Sequence, residues 1–369
     1  MSRKFALLIH PGRQANVLQI RNFRCGLPPS LTDRINCFVF PNKVSTLTGL
    51  VTPYGRAEGL ALSIHLTSEQ ASRLPERLVA KRIFRAGRLA KKLGARMVGI
   101  GSLTTAAGTG VALSRYLNIA VTTGKSFAIA AVLEGSRKIM ELMGLELEEA
   151  NVMILGATTS PGAVCAQLLA REGANYLTLA GTDQHRLETL ARLIFYDYGV
   201  SCILTAQIKK SVRRADLVIL AGDMPAISLA VEDFKPGAVV FGLPGFHDAI
   251  FSRFHYRSDL LVIDESVIEV PGNLTDNIKF DLPAHTVPAS IVETVVLALE
   301  GRFENYSLGS QLRIGKVDEI RRLAAKHGFK TAGYRSFGRY ISNADVLRIR
   351  HHLLPGRLPP DQTVPTGCI

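Results

Sequence analysis

The 369-residue sequence predicts an α/β fold whose main domain is a doubly wound parallel sheet with helices on both faces. From Val152 onward, short apolar runs alternate with helical patterns, which is the order typical of parallel strands and their crossover helices. A glycine-containing turn joins the first of these runs to the helical pattern that follows it. The chain is longer than one ordinary α/β domain and fits two, or two and a small terminal piece.

The first part of the chain, residues 1–125, is predicted to form an N-terminal α/β substrate domain. Residues 26–60 are rich in Pro, Gly and Thr, which indicates loops and small strands. Residues 67–94 carry an apolar stripe among basic residues, which predicts a helix that Ser68 could cap. The predicted strands of this part cover 5–9, 97–101 and 119–121.

The second part, residues 126–300, is predicted to be a nucleotide-binding domain that begins with a linking helix over 126–143. The predicted strands cover 152–155, 176–180, 203–204, 217–221, 239–241 and 260–263, and the helices between them cover 163–171 and 184–196. Helices over 288–300 and 315–327 are predicted to pack back. We expect a C-terminal helical segment over 301–345 and a loose, basic, proline-rich tail over 346–369.

The charge balance favours an anionic partner. Lys and Arg number 44 against 31 Asp and Glu, a formal net charge of +13, which suits a nucleotide, an acidic carrier protein or a membrane surface. Each basic cluster taken alone is explained more simply as a solvated helix face. No nucleic-acid-binding motif accompanies the clusters, so a nucleic acid is not expected.

Cysteine usage and hydropathy set further limits. The five cysteines include no C-x-x-C pair, so we expect neither a disulfide framework nor a metal site. No apolar run is long enough to cross a bilayer, and the first residues do not have the pattern of a signal peptide. The expectation is a cytoplasmic protein, with a homo-oligomer as an open alternative.

A turn framed by glycines is the most informative local signal. The apolar strand ends in Gly156-Ala157-Thr158-Thr159-Ser160-Pro161-Gly162, and a helix follows. Gly156 suits the tight turn out of the strand, and Gly162 suits close packing of the helix on the strand. Amides at the helix start can then face a pyrophosphate. The pattern predicts a Rossmann domain in which the cofactor contacts Gly156, Ala157, Thr158, Thr159, Ser160 and Gly162.

One position departs from the dinucleotide fingerprint. Thr159 stands where the middle glycine usually lies, and its Cβ would crowd a pyrophosphate unless the backbone keeps φ negative. A plain strand-to-helix turn is the alternative interpretation of the whole segment.

The end of the next strand bears on the choice of cofactor. NAD sites usually place an acidic residue there, where it binds the ribose 2′-hydroxyl. Here the strand ends in Ala180-Gly181, and the first carboxylate is Asp183. Thr182 and Arg186 are therefore predicted to hold a 2′-phosphate, which favours NADPH. The alternative is that Arg186 is only a surface residue of the following helix.

Several stretches resemble one family in combination. They are Thr122-Thr123-Gly124, Gly156-Ala157-Thr158…Gly162, Ala215-Asp216-Leu217-Val218…Ala221…Met224-Pro225, Leu299-Glu300-Gly301…Asn305-Tyr306-Ser307-Leu308-Gly309 and His327-Gly328-Phe329. With them the chain resembles the aldehyde-forming long-chain acyl–acyl carrier protein reductases and their bacterial relatives. The likeness covers residues 95–330, and through it Ala221 and Met224 join the expected cofactor site.

The resemblance implies hydride transfer from NADPH and a thioester substrate whose acyl group is taken up by a cysteine. The matching stretch here, 271–281, contains no cysteine, and Asn277 falls where the thiol should be. An amide nitrogen is not a usable nucleophile at neutral pH, so the covalent step of the family is not expected. Asp281 ends this stretch and His285 follows it, and both are candidates for contact with the substrate.

Lys125 is a further catalytic candidate. It follows the T-T-G motif, where the family has Asn, and precedes the helix that leads to the glycine turn. This arrangement is similar to the shikimate and amino-acid dehydrogenases, in which it implies a lysine that assists hydride transfer. A lysine with a lowered pKa can act as a general acid or base. The alternative is a lysine that meets phosphate or solvent at a helix start.

Two classes of function therefore stay open. The first is an NADP-dependent oxidoreductase of a carbonyl or carbinol substrate, either a small polar molecule or an acyl thioester reduced without a covalent step. The second is a nucleotide-binding regulatory or scaffold protein without chemistry, which engages an acidic partner. Thr159 and Asn277 are the departures that the second class predicts.

Overall fold

A computed structural model describes residues 3–9, 41–66, 71, 74–101, 109–222, 229–243, 254, 257–274, 282–309, 312–337 and 339–353. They form an α/β fold with two largely parallel sheets, which confirms the predicted fold class. The strands are β1 (Lys4–Ile9), β2 (Asn42–Thr52), β3 (Gly55–Ser63), β4 (Met97–Gly99), β5 (Ala120–Thr122), β6 (Asn151–Leu155), β7 (Tyr176–Ala180), β8 (Cys202–Leu204), β9 (Leu217–Leu220), β10 (Val239–Gly242), β11 (Leu261–Ile263), β12 (Glu265–Glu269), β13 (Thr286–Pro288), β14 (Lys330–Ser336) and β15 (Arg339–Tyr340).

The α-helices of the described residues are α1 (Glu76–Lys92), α2 (Thr109–Leu117), α3 (Lys125–Met143), α4 (Ser160–Arg171), α5 (Gln184–Tyr198), α6 (Ile208–Val212), α7 (Ala289–Glu300), α8 (Ile314–His327) and α9 (Asn343–Leu353). Among them, no helix is both long enough and apolar enough to cross a membrane.

The chain folds into two compact units. Unit 1 comprises Met1–Phe127, Ile268–Gln311 and Glu319–Lys330. Unit 2 comprises Ala128–Val267, Leu312–Asp318 and Thr331–Ile369. These limits differ from the predicted ones chiefly in α7, which was placed with the nucleotide-binding residues and belongs to unit 1. The reason is packing: α7 lies against β1, β3 and β4.

The sheet of unit 1 has the order β2-β3-β1-β4-β5. Its strands are parallel except β2, which pairs antiparallel with β3 at the edge. Helix α7 is buried on every side from Ala289 to Leu299 because it is apolar almost throughout. Helix α1 instead buries one face, with Val79, Ile83 and Ala86 in the core.

The sheet of unit 2 has the order β11-β10-β9-β6-β7-β8, and every neighbouring pair is parallel. Successive residues of β6 enter different cores: Val152 and Ile154 lie in one cluster, Met153 and Leu155 in the other. This alternation places apolar residues on both faces of the strand, which is why the parallel strands are continuous apolar runs in the sequence.

Three predictions about local structure were wrong. Of the residues 26–60 predicted as loops and small strands, 26–40 lie outside the described residues, and 42–60 belong to a long hairpin, β2 and β3, over 42–63. The segment 301–345 is not only helical, because it contains β14 and β15, which pair antiparallel in a small sheet of order β13-β12-β14-β15. The tail over 346–369 is helical as far as Leu353, since α9 buries Val346, Ile349 and Leu353.

The start of α9 explains why that helix forms in a basic sequence. The Asp345 carboxylate accepts hydrogen bonds from the Ser342 amide (3.1 Å) and hydroxyl (2.8 Å), and the Ser342 hydroxyl accepts one from the Asp345 amide (3.2 Å). This reciprocal arrangement satisfies amides that a helix start otherwise leaves without partners.

Candidate functional site

The loops after β6 and β9 lie at the switch point of the unit 2 sheet. Counted from β6 along the chain, the sheet order is 3-2-1-4-5-6, the order of a Rossmann domain. Strand β7 lies on one side of β6, and β9 lies on the other side. The loops after β6 and β9 therefore start next to each other at the carboxyl edge of the sheet and lead away in opposite directions. Ligands of doubly wound sheets bind in the crevice at this point.

Both glycines of the turn are required by its geometry. Gly156 has φ +85°, and a Cβ there would overlap the Ala221 carbonyl of the loop after β9. A Cβ on Gly162 would overlap the carbonyl of Gly156, so the first turn of α4 lies directly against the strand end. These are the roles that the sequence assigned to the two glycines.

Thr159 takes the place of the middle glycine without strain. Its φ is −78°, and it caps α4, since its hydroxyl accepts a hydrogen bond from the Gly162 amide at 3.2 Å. The same hydroxyl donates toward the carbonyls of Gly156 (2.7 Å) and Ala221 (3.0 Å). Thr159 thus ties the loop after β6 to the loop after β9 and adds rigidity to the turn.

Two amides of the turn have no hydrogen-bond partner among the described residues. The amides of Gly156 and Ala157 donate to the Ala180 carbonyl, and the Thr159 amide donates to Gly156. The amides of Thr158 and Ser160 donate to none of these residues, and both side chains are partly exposed. Together with the N-terminal end of α4, they form a place where a phosphate can be bound.

The end of β7 lies next to this turn. A Cβ on Gly181 would contact the Thr158 side chain, so the two loops touch where a nucleotide ribose would lie. Asp183 caps α5 by accepting the Arg186 amide at 3.0 Å, and its carboxylate also pairs with the Arg186 guanidinium at 3.3 Å. Thr182 and Arg186 are exposed.

The remaining predicted cofactor residues belong to the loop after β9. Ala221 is buried, and its carbonyl accepts the Thr159 hydroxyl. Gly222 follows with φ +84°. Met224 lies outside the described residues.

Lys125 is the first residue of α3 and belongs to unit 1. The backbone around it is held by the buried carboxylate of Glu293 on α7. This carboxylate accepts the amides of Gly124 (3.1 Å), Ser126 (3.0 Å) and Phe127 (3.3 Å). The carboxyl group thus accepts amides that the start of a helix otherwise leaves without partners.

Hydroxyl groups complete the surroundings of Glu293. Its carboxylate also accepts the hydroxyls of Thr122 and of Ser307, the latter at 2.8 Å. The side chain is fully buried. Burial raises the pKa of the carboxyl above its ordinary value, and the hydroxyl and amide donors act against this rise.

Sequence reasoning missed Glu293. The available signal was its position as the one acidic residue inside the apolar run ASIVETVVLAL, because a carboxylate is rarely buried without partners. The motifs on which the family resemblance rests contain the hydrogen-bond partners of Glu293 and residues next to them. Thr122 and Ser307 lie in two of them, and Asn305 accepts the Val121 amide (3.0 Å) and the Ser114 hydroxyl (2.8 Å).

The E-G and H-G motifs are two helix ends that meet. Glu300 ends α7 and His327 ends α8, and each is followed by a glycine of positive φ. The His327 ring lies between Glu300 Oε1, 2.7 Å from Nε2, and Thr52 Oγ1, 2.8 Å from Nδ1. Burial lowers the pKa of His327, and Glu300 opposes this shift.

The other predicted catalytic residues are not joined to this network by any contact among the described residues. His285 is exposed, has φ +60°, and its carbonyl accepts the Val270 amide at 2.9 Å. Asp281 and Asn277 lie outside the described residues.

The described cysteines are not activated thiols. Cys165 is buried in α4 and Cys202 is half-buried in β8. Burial raises the pKa of Cys165 to about 12 and that of Cys202 to about 11. Neither has the thiolate character that an acyl acceptor needs. Within the same described ranges, no group of three or more His, Cys, Asp or Glu is placed to hold a metal ion.

Comparisons with known proteins give distant likenesses. No protein-family model matches the chain. Aminotransferase PigE of Serratia sp. (strain ATCC 39006) is 25% identical over 391 residues, which cover 99% of this chain and 44% of that protein. The chain thus spans less than half the length of this relative.

A comparison with solved structures finds dehydrogenases at low similarity. L-tryptophan dehydrogenase from Nostoc punctiforme is 10% identical with a TM-score of 0.36, over 94% of this chain and 86% of that chain. Quinate dehydrogenase from Corynebacterium glutamicum in complex with NAD is 13% identical with a TM-score of 0.32, over 88% and 99%. The fold assignment rests on the strand order of the unit 2 sheet.

Substitution of Gly156 tests the geometry of the turn. Gly156→Ala should lower the free energy of unfolding by about 3 kcal/mol or more, because left-handed strain adds to overlap with the Ala221 carbonyl. Gly199→Ala is the matched control, since Gly199 has φ +72° with nothing within 4 Å of a Cβ, and strain alone should cost about 1 kcal/mol. Urea unfolding measures both, and equal losses would show that the two loops do not approach each other closely.

Glu293→Gln tests the charge state of the buried carboxyl. Every partner of this group is a donor, so either orientation of the amide points its NH2 at a backbone N–H, and we expect a loss of about 3 kcal/mol in unfolding free energy. The control is Glu134→Gln on the exposed face of α3, which should change nothing. Full stability of Glu293→Gln would mean that the native carboxyl is protonated.

Proposed function

We propose that the chain is an NADP-dependent oxidoreductase that transfers a hydride between the nicotinamide and a carbonyl or carbinol carbon. The observation that carries the proposal is the turn at the switch point of the Rossmann sheet, with the amides of Thr158 and Ser160 available beside the start of α4. Gly156 and Gly162 allow the close backbone approaches that shape this turn, since a Cβ on either would overlap a neighbouring backbone carbonyl.

The residues of the turn suit the pyrophosphate of a dinucleotide. The Thr158 and Ser160 amides would donate to phosphate oxygens, and the N-terminal end of α4 would favour their negative charge. The cofactor would supply the hydride. The nicotinamide would extend toward the loop after β9, to which Ala221 and Met224 belong.

NADPH is proposed over NADH on the ground of charge at the end of β7. Both oxygens of the Asp183 carboxylate already contact Arg186, one its amide and the other its guanidinium. The carboxylate is therefore poorly placed to accept a ribose hydroxyl. The exposed guanidinium of Arg186 and the Thr182 hydroxyl are suitable donors to a 2′-phosphate. Arg186 would then exchange its contact with Asp183 for one with the phosphate.

The nature of the relatives supports a carbonyl compound as substrate or product. Aminotransferases use carbonyl compounds as amino acceptors, and PigE, which bears that name, is more than twice as long as the part matched here. The resemblance to acyl–acyl carrier protein reductases adds an acyl thioester as a candidate. Reduction of a thioester by NADPH and a proton gives an aldehyde, a thiol and NADP⁺, and needs no covalent acyl-enzyme.

Lys125 is proposed as the proton donor to the carbonyl oxygen, with Asp281 and His285 as candidates for contact with the substrate. Reduction of an aldehyde or ketone needs one hydride and one proton, and an ammonium group can supply the proton and stabilise the developing alkoxide. Glu293 would act on Lys125 only indirectly, since it fixes the backbone on both sides of this residue.

The second candidate function is a nucleotide-binding scaffold without chemistry. The observation that favours it is Thr159, whose side chain occupies the position of the middle glycine. Its hydroxyl donates a hydrogen bond to the Ala221 carbonyl in the loop after β9. This candidate shares the cofactor site and differs only in turnover.

Cofactor binding is tested with Ser160→Asp. The new carboxylate should weaken NADPH binding at least about tenfold by repelling the pyrophosphate, while it leaves α4 intact, because an acid stabilises a helix start. Gly315→Asp is the matched control: it adds the same charge to the start of α8 in the same unit, where a side chain meets nothing within 4 Å. Fluorescence titration with NADPH and NADH measures both, with NADPH expected to bind the parent chain more tightly.

The titration has outcomes that contradict the proposal. If the parent chain does not bind NADPH at micromolar concentrations, the proposed cofactor site is wrong. Equal loss in Ser160→Asp and Gly315→Asp would place the nucleotide away from the turn, and tighter binding of NADH would overturn the assignment of Arg186.

Turnover is tested with Lys125→Met. Turnover is followed as loss of NADPH absorbance with a panel of aldehydes, ketones and acyl thioesters. The variant should show a kcat lower by about a hundredfold or more, with unchanged NADPH affinity. Lys138→Met, on the exposed face of the same helix, is the control and should retain full activity. A Lys125→Met chain within twofold of the parent would exclude Lys125 as proton donor, and binding without turnover on the whole panel would favour the scaffold.

A further inference from the structure

The exposed face of α1 carries a line of cations. Arg77, Lys81, Arg88 and Lys92 are all exposed, and their spacings of four, seven and four residues put them on one side of the helix. At 1.5 Å per residue the line is about 22 Å long. We call these four residues the basic line of α1.

The basic line is not neutralised within the described part of the chain. None of its four residues takes part in an ion pair there, and Glu76 is the one acidic residue of α1. The neighbouring Lys91 is occupied differently, because its ammonium donates to the Leu117 carbonyl at the end of α2. Four positive charges therefore face outward with no ion-pair partner among the residues of unit 1 that the structure describes.

An aromatic pair lies at the middle of the basic line. Phe84 lies on the same face as Arg77 and Arg88, and its ring meets that of Tyr116 of α2 edge-on at 5.2 Å. The Arg88 guanidinium lies over the Tyr116 ring at 4.9 Å. Tyr116 is 53% exposed, which makes it the kind of amphipathic anchor that protein interfaces favour.

The helix presents the basic line rigidly. Its opposite face enters the core of unit 1 through Val79, Ile83, Ala86 and Ala90. Gly87 permits close packing on α2, since a Cβ there would press on Leu113 and Leu117. The apolar face of α1 is thus already used and is not available for insertion into a lipid bilayer.

We propose that the basic line of α1 docks an acidic α-helix of a partner protein. Charges that lie one, two and one helical turns apart match carboxylates at the same spacings on a second helix laid alongside, and Tyr116 supplies an apolar contact at the centre. A helix that binds a membrane surface inserts its apolar face into the lipid, and the apolar face of α1 is already packed in the core of unit 1. A nucleic acid would be favoured by a broader basic surface with several stacking aromatic rings. The proposal does not depend on the cofactor site in unit 2.

The test uses two fluorescein-labelled peptides of equal composition. In the first, four glutamates lie on one face of an alanine-rich helix at the spacings of the basic line, and in the second they are spread around the helix. Fluorescence anisotropy at low salt should show the one-face peptide binding at least tenfold more tightly than the other. The quadruple variant R77E/K81E/R88E/K92E should abolish this binding, because it reverses every charge of the line.

The matched control keeps the same total charge change at another surface. K138E/R192E/K210E/R214E alters four exposed cations of unit 2 and should leave peptide binding within twofold. Equal binding of the two peptides, or equal loss in the two quadruple variants, would overturn the proposal. The parent chain could instead bind phosphatidylserine vesicles or duplex DNA more tightly than the one-face peptide, and lose that binding in the α1 variant. This result would also overturn the proposal, in favour of a membrane or a nucleic acid as the partner. NADPH titration of the α1 variant should match the parent, so failure here is distinct from failure of the cofactor site.

Discussion

The buried carboxylate of Glu293 is the interaction on which the centre of unit 1 depends. A helix start leaves amides without partners, and α3 begins where water has no access to them. Glu293 accepts three of those amides and two hydroxyls, so one side chain of α7 fixes the end of β5, the turn at Gly124 and the segment around Ser307. Because α3 continues into unit 2, the helix that leads to the Rossmann sheet starts from this carboxylate.

The glycine turn shows a different way of holding a loop. Gly156 and Gly162 allow backbone to approach backbone, and Thr159 uses one hydroxyl to cap α4 and to bridge toward the loop after β9. The position that usually needs a glycine is therefore filled by a residue that adds hydrogen bonds and keeps φ negative. Among the residues that the structure describes, the amides of Thr158 and Ser160 have no acceptor, which is why the departure from the fingerprint is compatible with a phosphate site.

Local patterns were sufficient for the Rossmann sheet, because its parallel strands are apolar runs between breakers and the crossover helices α4 and α5 begin at capping side chains, Thr159 and Asp183. They were not sufficient for β2 and β3, whose residues are half exposed and whose pairing depends on contacts distant in sequence. The helix α9 was missed because its buried face is narrow among basic residues. Glu293 was missed because its partners come from a segment far along the chain, although its place in an apolar helix was visible. The resemblance named Ser307, Glu300 and His327, and the structure shows their hydrogen-bond partners.

We propose that a dinucleotide binds through the amides of Thr158 and Ser160. Hydrogen–deuterium exchange with and without NADPH tests it most directly, because a bound phosphate accepts hydrogen bonds from these amides and slows their exchange. We expect residues 156–163 to show the largest slowing of exchange in unit 2, with a smaller effect near Arg186. Unchanged exchange in residues 156–163 while NADPH binds would contradict it.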